Sequence, residues 1–197
     1  MFIFICGNSG SGKSFYAEKR LSGFSSEKKI YLATAKILDF EMSERVKKHK
    51  LMRQNKNFIT IECEKNLDAI TIPEHSSVLV ESLTTWLSNE MFDSTSQPQM
   101  RDTHSLSVCG EVAHEVRRRG KSGEGLIISK IFSDFNKLKS QCENIILVSD
   151  YIFSDGIIYD DLTENYVKAL ADLTKKFANE ADEVIECVSG LILRYKI

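Results

Sequence analysis

Seven short apolar runs punctuate the chain, and the segments between them carry apolar residues three and four positions apart. Met1–Cys6 (MFIFIC), Lys29–Ala33 (KIYLA), Ser77–Glu81 (SVLVE) and Asn144–Ser149 (NIILVS) are nearly unbroken in hydrophobicity, as strands buried on both faces of a parallel sheet are. Phe58–Cys63 alternates instead, with Phe58, Thr60 and Glu62 set against Ile59, Ile61 and Cys63, and this too predicts a strand. Glu183–Val188 and Leu191–Lys196 flank Ser189-Gly190 and predict two final strands joined by a tight turn. Helices are predicted over Ser14–Leu21, Asp39–Arg53 (capped by Asp39), Leu83–Met91, Leu126–Ser140 and Leu162–Asn179, none of which contains Pro or Gly. Trp86, the sole tryptophan, falls among helix-spaced apolar residues and is read as core. Strands alternating with helices predict an α/β three-layer fold with a mainly parallel sheet and a C-terminal antiparallel hairpin. From Asp93 to Gly125 the pattern gives way to Ser, Thr, Gln, Pro98 and several glycines. An insertion or mobile loop is expected there, within a single domain covering residues 1–197.

The first run leads into Gly7-Asn8-Ser9-Gly10-Ser11-Gly12-Lys13-Ser14, which matches G-x-x-x-x-G-K-[ST] at every fixed position, between a predicted strand and a predicted helix. A polyphosphate is held by converging backbone N–H groups, and glycine lets the main chain curl closely enough to supply them. The helix start adds its positive dipole end. Lys13 is expected to reach the terminal phosphates and to take part in catalysis, while the Ser14 hydroxyl helps hold Mg²⁺. The fold is thereby narrowed to the P-loop NTPase-like class. Glu81 closes the fourth strand with an acid, where such enzymes place a carboxylate linked to Mg²⁺. The segment Asp150–Asp161 follows the fifth strand at its carboxyl end, the position where open α/β sheets bind ligands.

Composition narrows the partners. The chain has 197 residues, 42% of them hydrophobic, enough for one sizeable core. A formal net charge of −2 gives no basic field of the kind that recruits nucleic acid, so small molecules are the expected partners. The basic run Arg117-Arg118-Arg119-Gly120-Lys121 has no interleaved aromatic residue for base stacking and is read as solvated surface. Cys6, Cys63, Cys109, Cys142 and Cys187, together with His49, His75, His104 and His114, show no metal-ligand spacing. Reduced thiols in a cytoplasmic protein are expected, with neither a membrane span nor a signal peptide.

Several segments together resemble one family. GNSGSGKS at 7–14, YLATAKILDFEM at 31–42, RVKKHKLMR at 45–53, ESLTTWLSN at 81–89 and ANEADEVIECVSGLILRYK at 178–196 resemble the bifunctional adenosylcobinamide kinase / adenosylcobinamide-phosphate guanylyltransferases of cobalamin biosynthesis. The most specific of these is R-[IV]-x-x-H-[KR]-x-x-R, present as Arg45 to Arg53. The resemblance implies a two-step enzyme. ATP or GTP phosphorylates the aminopropanol hydroxyl of adenosylcobinamide, and GTP then guanylylates His49, from which GMP passes to the cobinamide phosphate. By the same resemblance Gly7 to Ser14 bind phosphates, Thr34 lies beside the nucleotide, Lys50 and Arg53 flank the GMP site, Glu62 and Glu81 contact nucleotide, and the protein is a homotrimer. The residues themselves agree with this: Met42, Arg45, Val46 and His49 share a face of the predicted helix. An imidazole that is largely neutral at pH 7 can attack a phosphorus beside cations that stabilise the added charge.

The chain departs from the family pattern in three places. Gly10 replaces a basic residue, the loop after the fifth strand reads Asp150-Tyr151-Ile152-Phe153-Ser154-Asp155-Gly156-Ile157-Ile158-Tyr159 instead of an Asn-Glu-containing segment, and the 93–125 stretch is long. An aspartate at 150 is expected to add like-charge repulsion beside bound phosphate and to weaken the phosphorylation half, leaving guanylylation of His49 intact. Two other readings are kept open: a diverged P-loop small-molecule kinase, and a non-enzymatic module whose partner binding depends on nucleotide.

Overall fold

The computed structural model describes residues 1–35, 56–92, 111–153, 157 and 159–196. Each predicted strand within them forms: β1 (Phe2–Gly7), β2 (Lys28–Ala33), β3 (Ile59–Glu62), β4 (Ser76–Glu81), β5 (Asn144–Asp150), β6 (Glu183–Val188) and β7 (Leu191–Lys196). They make one seven-stranded sheet in the order β3-β2-β4-β5-β1-β6-β7, parallel throughout except for the β6–β7 hairpin. The helices are α1 (Lys13–Ser22), α2 (Leu83–Phe92), α3 (Glu111–Lys139) and α4 (Asp161–Glu180). Among the described residues none is long and apolar enough to cross a membrane.

Strand alternation sorts the core into two layers. Phe2, Phe4, Ile30, Leu32, Val78, Val80, Ile145 and Leu147 point to one side, where Trp86 and Leu87 of α2, Ile131 and Phe135 of α3, and Leu170, Leu173 and Phe177 of α4 cover them. Ile3, Ile5, Leu79, Ile146, Val148 and Ile185 point to the other side, against Ala17 and Leu21 of α1. The predicted three-layer P-loop NTPase-like sandwich is therefore the architecture found, and Trp86 is fully buried core. Helix α4 begins at the cap residue Asp160, whose Oδ1 accepts from the amides of Leu162 and Thr163, both at 3.0 Å.

One expectation needs revising. Irregular chain is expected up to Gly125, yet α3 is helical from Glu111. Glycine inside a helix costs about 1 kcal/mol relative to alanine but does not forbid it, and this helix is anchored further on by Ile128, Ile131, Phe135 and Leu138. Residues 93–110 and the predicted Asp39–Arg53 helix lie outside the described residues.

Candidate nucleotide-binding site

The carboxyl ends of the parallel strands assemble the site. In the β1–β5 register Gly7 lies opposite Asp150, and Glu81 of β4 lies opposite Val148. Asp150 therefore stands two residues beyond Glu81 along the sheet, roughly 6–7 Å at strand rise. Helix α1 starts directly above, with Gly10 and Gly12 at φ +72° and +90°, in the left-handed region that glycine adopts without penalty. Gly7 is needed for a different reason. A Cβ there would sit 2.5 Å from the Cys187 carbonyl oxygen and 2.6 Å from Ser11 Oγ, so β1 and β6 approach too closely for any side chain. The Gly190 amide of the β6–β7 turn donates to the Ser11 carbonyl at 3.0 Å and braces the loop from outside.

The two side chains that end the motif diverge toward two carboxylates. Lys13 is buried; its Nζ donates to the Asn8 carbonyl at 3.2 Å and pairs with Asp150 Oδ1 at 2.6 Å. Ser14 Oγ donates to Glu81 Oε1, and the other oxygen of Glu81 accepts from the Tyr31 hydroxyl at 2.9 Å. Asp150 Oδ2 accepts from Thr84 Oγ1 at 2.8 Å, and the Thr84 carbonyl accepts from the Tyr166 hydroxyl at 3.0 Å. Burial, and secondarily the charge of Asp150, pushes the Tyr166 phenol up to about 12, so it remains a donor at every physiological pH. In this arrangement Lys13 meets the charge of Asp150.

The remaining expected residues separate by location. Thr34 is fully buried; its amide donates to the Glu81 carbonyl at 3.0 Å and its hydroxyl to the Ser82 carbonyl at 2.9 Å, while its own carbonyl accepts from Asn89 Nδ2 at 2.7 Å. It ties β2 to the turn that follows Glu81. Glu62 ends β3, with Ala33 of β2 between it and Glu81 in register, about 10 Å from Glu81 across two strand spacings. His49, Lys50 and Arg53 lie outside the described residues. The segment that carries them leaves the described chain at Ala35, just past the Glu81 level. It rejoins at Lys56, which pairs at 2.5 Å with Glu18, one turn beyond Ser14 on α1.

Ser14 and Glu81 suit Mg²⁺ by donor chemistry, a hydroxyl and a carboxylate side by side. No cluster of three or more His, Cys, Asp or Glu that could cage a metal occurs among the described residues. That is the usual pattern for Mg²⁺, which keeps several waters and takes its other oxygens from the nucleotide phosphates. The free thiols Cys6, Cys63, Cys142 and Cys187 are all held above their ordinary range by burial, which makes them poor nucleophiles and poor metal ligands at neutral pH.

The pairing of Lys13 with Asp150, the Thr84 hydroxyl behind it and the Gly7–Cys187 approach were not legible in the sequence. Asp150 had one visible signal, an acid at the end of a buried strand, the same signal that singles out Glu81.

The family model described as CobU, cobinamide kinase / cobinamide phosphate guanyltransferase, matches residues 3–195. The chain belongs to this family. The bifunctional adenosylcobalamin biosynthesis protein CobU of Salmonella typhimurium (strain LT2) is 25% identical over 206 aligned positions, covering all of both chains. Its Escherichia coli K12 counterpart is 38% identical over 96 positions, 47% of this chain and 51% of that protein. Among solved structures, a prototypical ATPase from the type III secretion system of pathogenic bacteria superposes with a TM-score of 0.50 at 14% identity. That match takes in 94% of this chain and about half (51%) of the ATPase, and it speaks to the fold alone.

Proposed function

We propose that this family member phosphorylates adenosylcobinamide and then transfers GMP from GTP to the resulting phosphate through a guanylylated His49. The observation that carries the reading is the loop whose Lys13 and Ser14 reach Asp150 and Glu81, in a chain that matches the family from residue 3 to residue 195. The loop amides and Lys13 hold the triphosphate of ATP or GTP. Mg²⁺, held by Ser14 and Glu81, would supply charge neutralisation on the phosphate oxygens.

In the guanylyl step a ring nitrogen of His49 donates its lone pair to the α-phosphorus of GTP. The N–P bond forms, the bond to the β-phosphate oxygen breaks, and pyrophosphate leaves with that electron pair. The corrinoid phosphate oxygen then attacks the same phosphorus, and the imidazole departs. Arg45, Lys50 and Arg53 offset the added negative charge. Support for placing His49 here comes from the ends of its segment, which start at the rim of β2 and return to α1 through Lys56 and Glu18. Thr34 acts by fixing the Glu81–Ser82 turn, and Glu62 reaches the nucleotide from the sheet edge. We infer further that residues 1–197 act as one domain, in a cytoplasmic homotrimer.

Incubation with α-labelled GTP tests this reading. The protein acquires label that is lost in acid and survives base, as a phosphoramidate does, and His49→Ala does not. Label retained by His49→Ala would overturn the assignment. A protein that binds GTP yet neither transfers GMP nor phosphorylates the corrinoid would point to a nucleotide-dependent binding module.

A further inference from the structure

The contacts of Asp150 carry an inference that rests on the phosphorylation half of this reading and goes beyond it. We propose that Asp150 is the base that accepts the proton of the acceptor hydroxyl, and that Lys13 occupies it until a terminal phosphate arrives.

The carboxylate is held in one orientation from behind. Its Oδ2 accepts from Thr84 Oγ1 at 2.8 Å, and Thr84 is itself buried, bonded to Ser82 Oγ at 2.6 Å and braced by Tyr166 at its carbonyl. The other oxygen, Oδ1, is bound at 2.6 Å to an ammonium whose function in this loop is to grip phosphate. Asp150 is also the more open partner of the pair, its side chain 32% exposed against 10% for Lys13. Solvent, or an acceptor molecule, thus approaches from the carboxylate side.

Binding a triphosphate changes this pair in one direction. A lysine ammonium has three donors, one already placed on the Asn8 carbonyl, and the terminal phosphate is a more highly charged acceptor than a single carboxylate. As Nζ turns to the phosphate, Oδ1 loses its partner and is left facing the phosphate across the space the ammonium held. An attacking hydroxyl fits that gap.

The acceptor oxygen forms the new O–P bond with a lone pair and its proton passes to Oδ1. The bond from the γ-phosphorus to the bridging oxygen breaks, its electron pair leaving on the nucleoside diphosphate, and the protonated Asp150 afterwards loses its proton to water. Among the described residues, the ionisable groups shown against Asp150 are Lys13 from α1 and Tyr166 from α4. Tyr166 stays protonated near neutrality and does not compete for that proton.

The test compares wild type, Asp150→Asn and Asp150→Glu, reading phosphorylation of adenosylcobinamide by γ-labelled ATP and GTP from pH 5 to 9. Affinity for a non-hydrolysable triphosphate is measured alongside. Asp150→Asn is expected to lower kcat about 100-fold or more, as loss of a general base does. It should bind triphosphate several-fold more tightly, since Lys13 no longer has a competing carboxylate, and Asp150→Glu should recover part of the rate. Asp150→Asn phosphorylating at or above the wild-type rate would overturn the proposal and show that the aspartate only repels phosphate. Triphosphate binding lost in Asp150→Asn would overturn it in favour of a structural role. A wild-type protein that forms GMP-histidine but never phosphorylates the corrinoid would overturn the proposal together with the kinase half of the function, a result distinct from either of these.

Discussion

Gly7 offers the sharpest separation of what a phosphate loop needs from what this particular sheet needs. In Gly7→Ala the new Cβ meets the Cys187 carbonyl oxygen at 2.5 Å, Ser11 Oγ at 2.6 Å and Cys187 Cβ at 3.3 Å. Ordinary contact begins near 3.4 Å, so β1 and β6 must part by about 0.9 Å at the last pair of their ladder. The obstacle is backbone, which yields less readily than a side chain. Overpacking of this kind costs about 1–3 kcal/mol, and the lower entropy of the unfolded alanine chain returns about 0.4–1. The net loss is thus of order 1–2 kcal/mol, a fall of roughly 0.5–1 M in urea midpoint. Trp86, unique and fully buried, reports unfolding by fluorescence. Because Ser11 is the second obstacle, the loop shifts as well, and affinity for a fluorescent GTP analogue should drop about tenfold or more. Gly10→Ala is the control: nothing lies within 4 Å of its Cβ, and only its φ of +72° opposes the change, at about 1–2 kcal/mol. A Gly7→Ala protein with wild-type midpoint and wild-type GTP affinity would refute the steric argument.

Two further outcomes follow from the core and its thiols. Phe177→Ala removes a ring that lies 4.8 Å from Phe135, 5.5 Å from Phe132, 6.3 Å from Phe2 and 6.4 Å from Phe4 between centroids. It should cost about 3–5 kcal/mol by urea titration, and a loss below 1 would mean that α4 collapses into the cavity. Cys6 and Cys142 are pushed up to about 11, in both cases chiefly by burial. The folded chain therefore keeps protons that the unfolded chain gives up from about pH 8.5–9. Stability from this source is constant below that range and falls between about pH 9 and 11. At pH 8 these thiols should react with an aromatic disulfide reagent about 100-fold more slowly than in urea, and equal rates would refute the assignment.

The strands were legible in the sequence because a buried strand needs only local information: apolar residues on both faces, or alternating faces, over five or six positions. The motif Gly7 to Ser14 was legible for the same reason, since a strand, a loop and a helix contiguous in the chain complete a phosphate cradle. The helical stretch from Glu111 was obscured by glycines at 120, 123 and 125, because propensity weighs each glycine locally and does not register the anchoring that Ile128 to Leu138 obtain from the sheet. The strand order was not legible at all, as nothing in β1 specifies that β5 and β6 are its neighbours. The site depends on that order. It sets Asp150 beside Gly7 and within reach of Lys13, 137 residues earlier in the chain, and it lets Glu81 meet Ser14 across 67 residues. Sequence alone located the phosphate-loop motif, Gly7 to Ser14, between a strand and a helix. Only the tertiary structure decided which carboxylate answers Lys13 and which answers Ser14, because charge pairing depends on distance through space, and pattern along the chain measures only distance along the backbone.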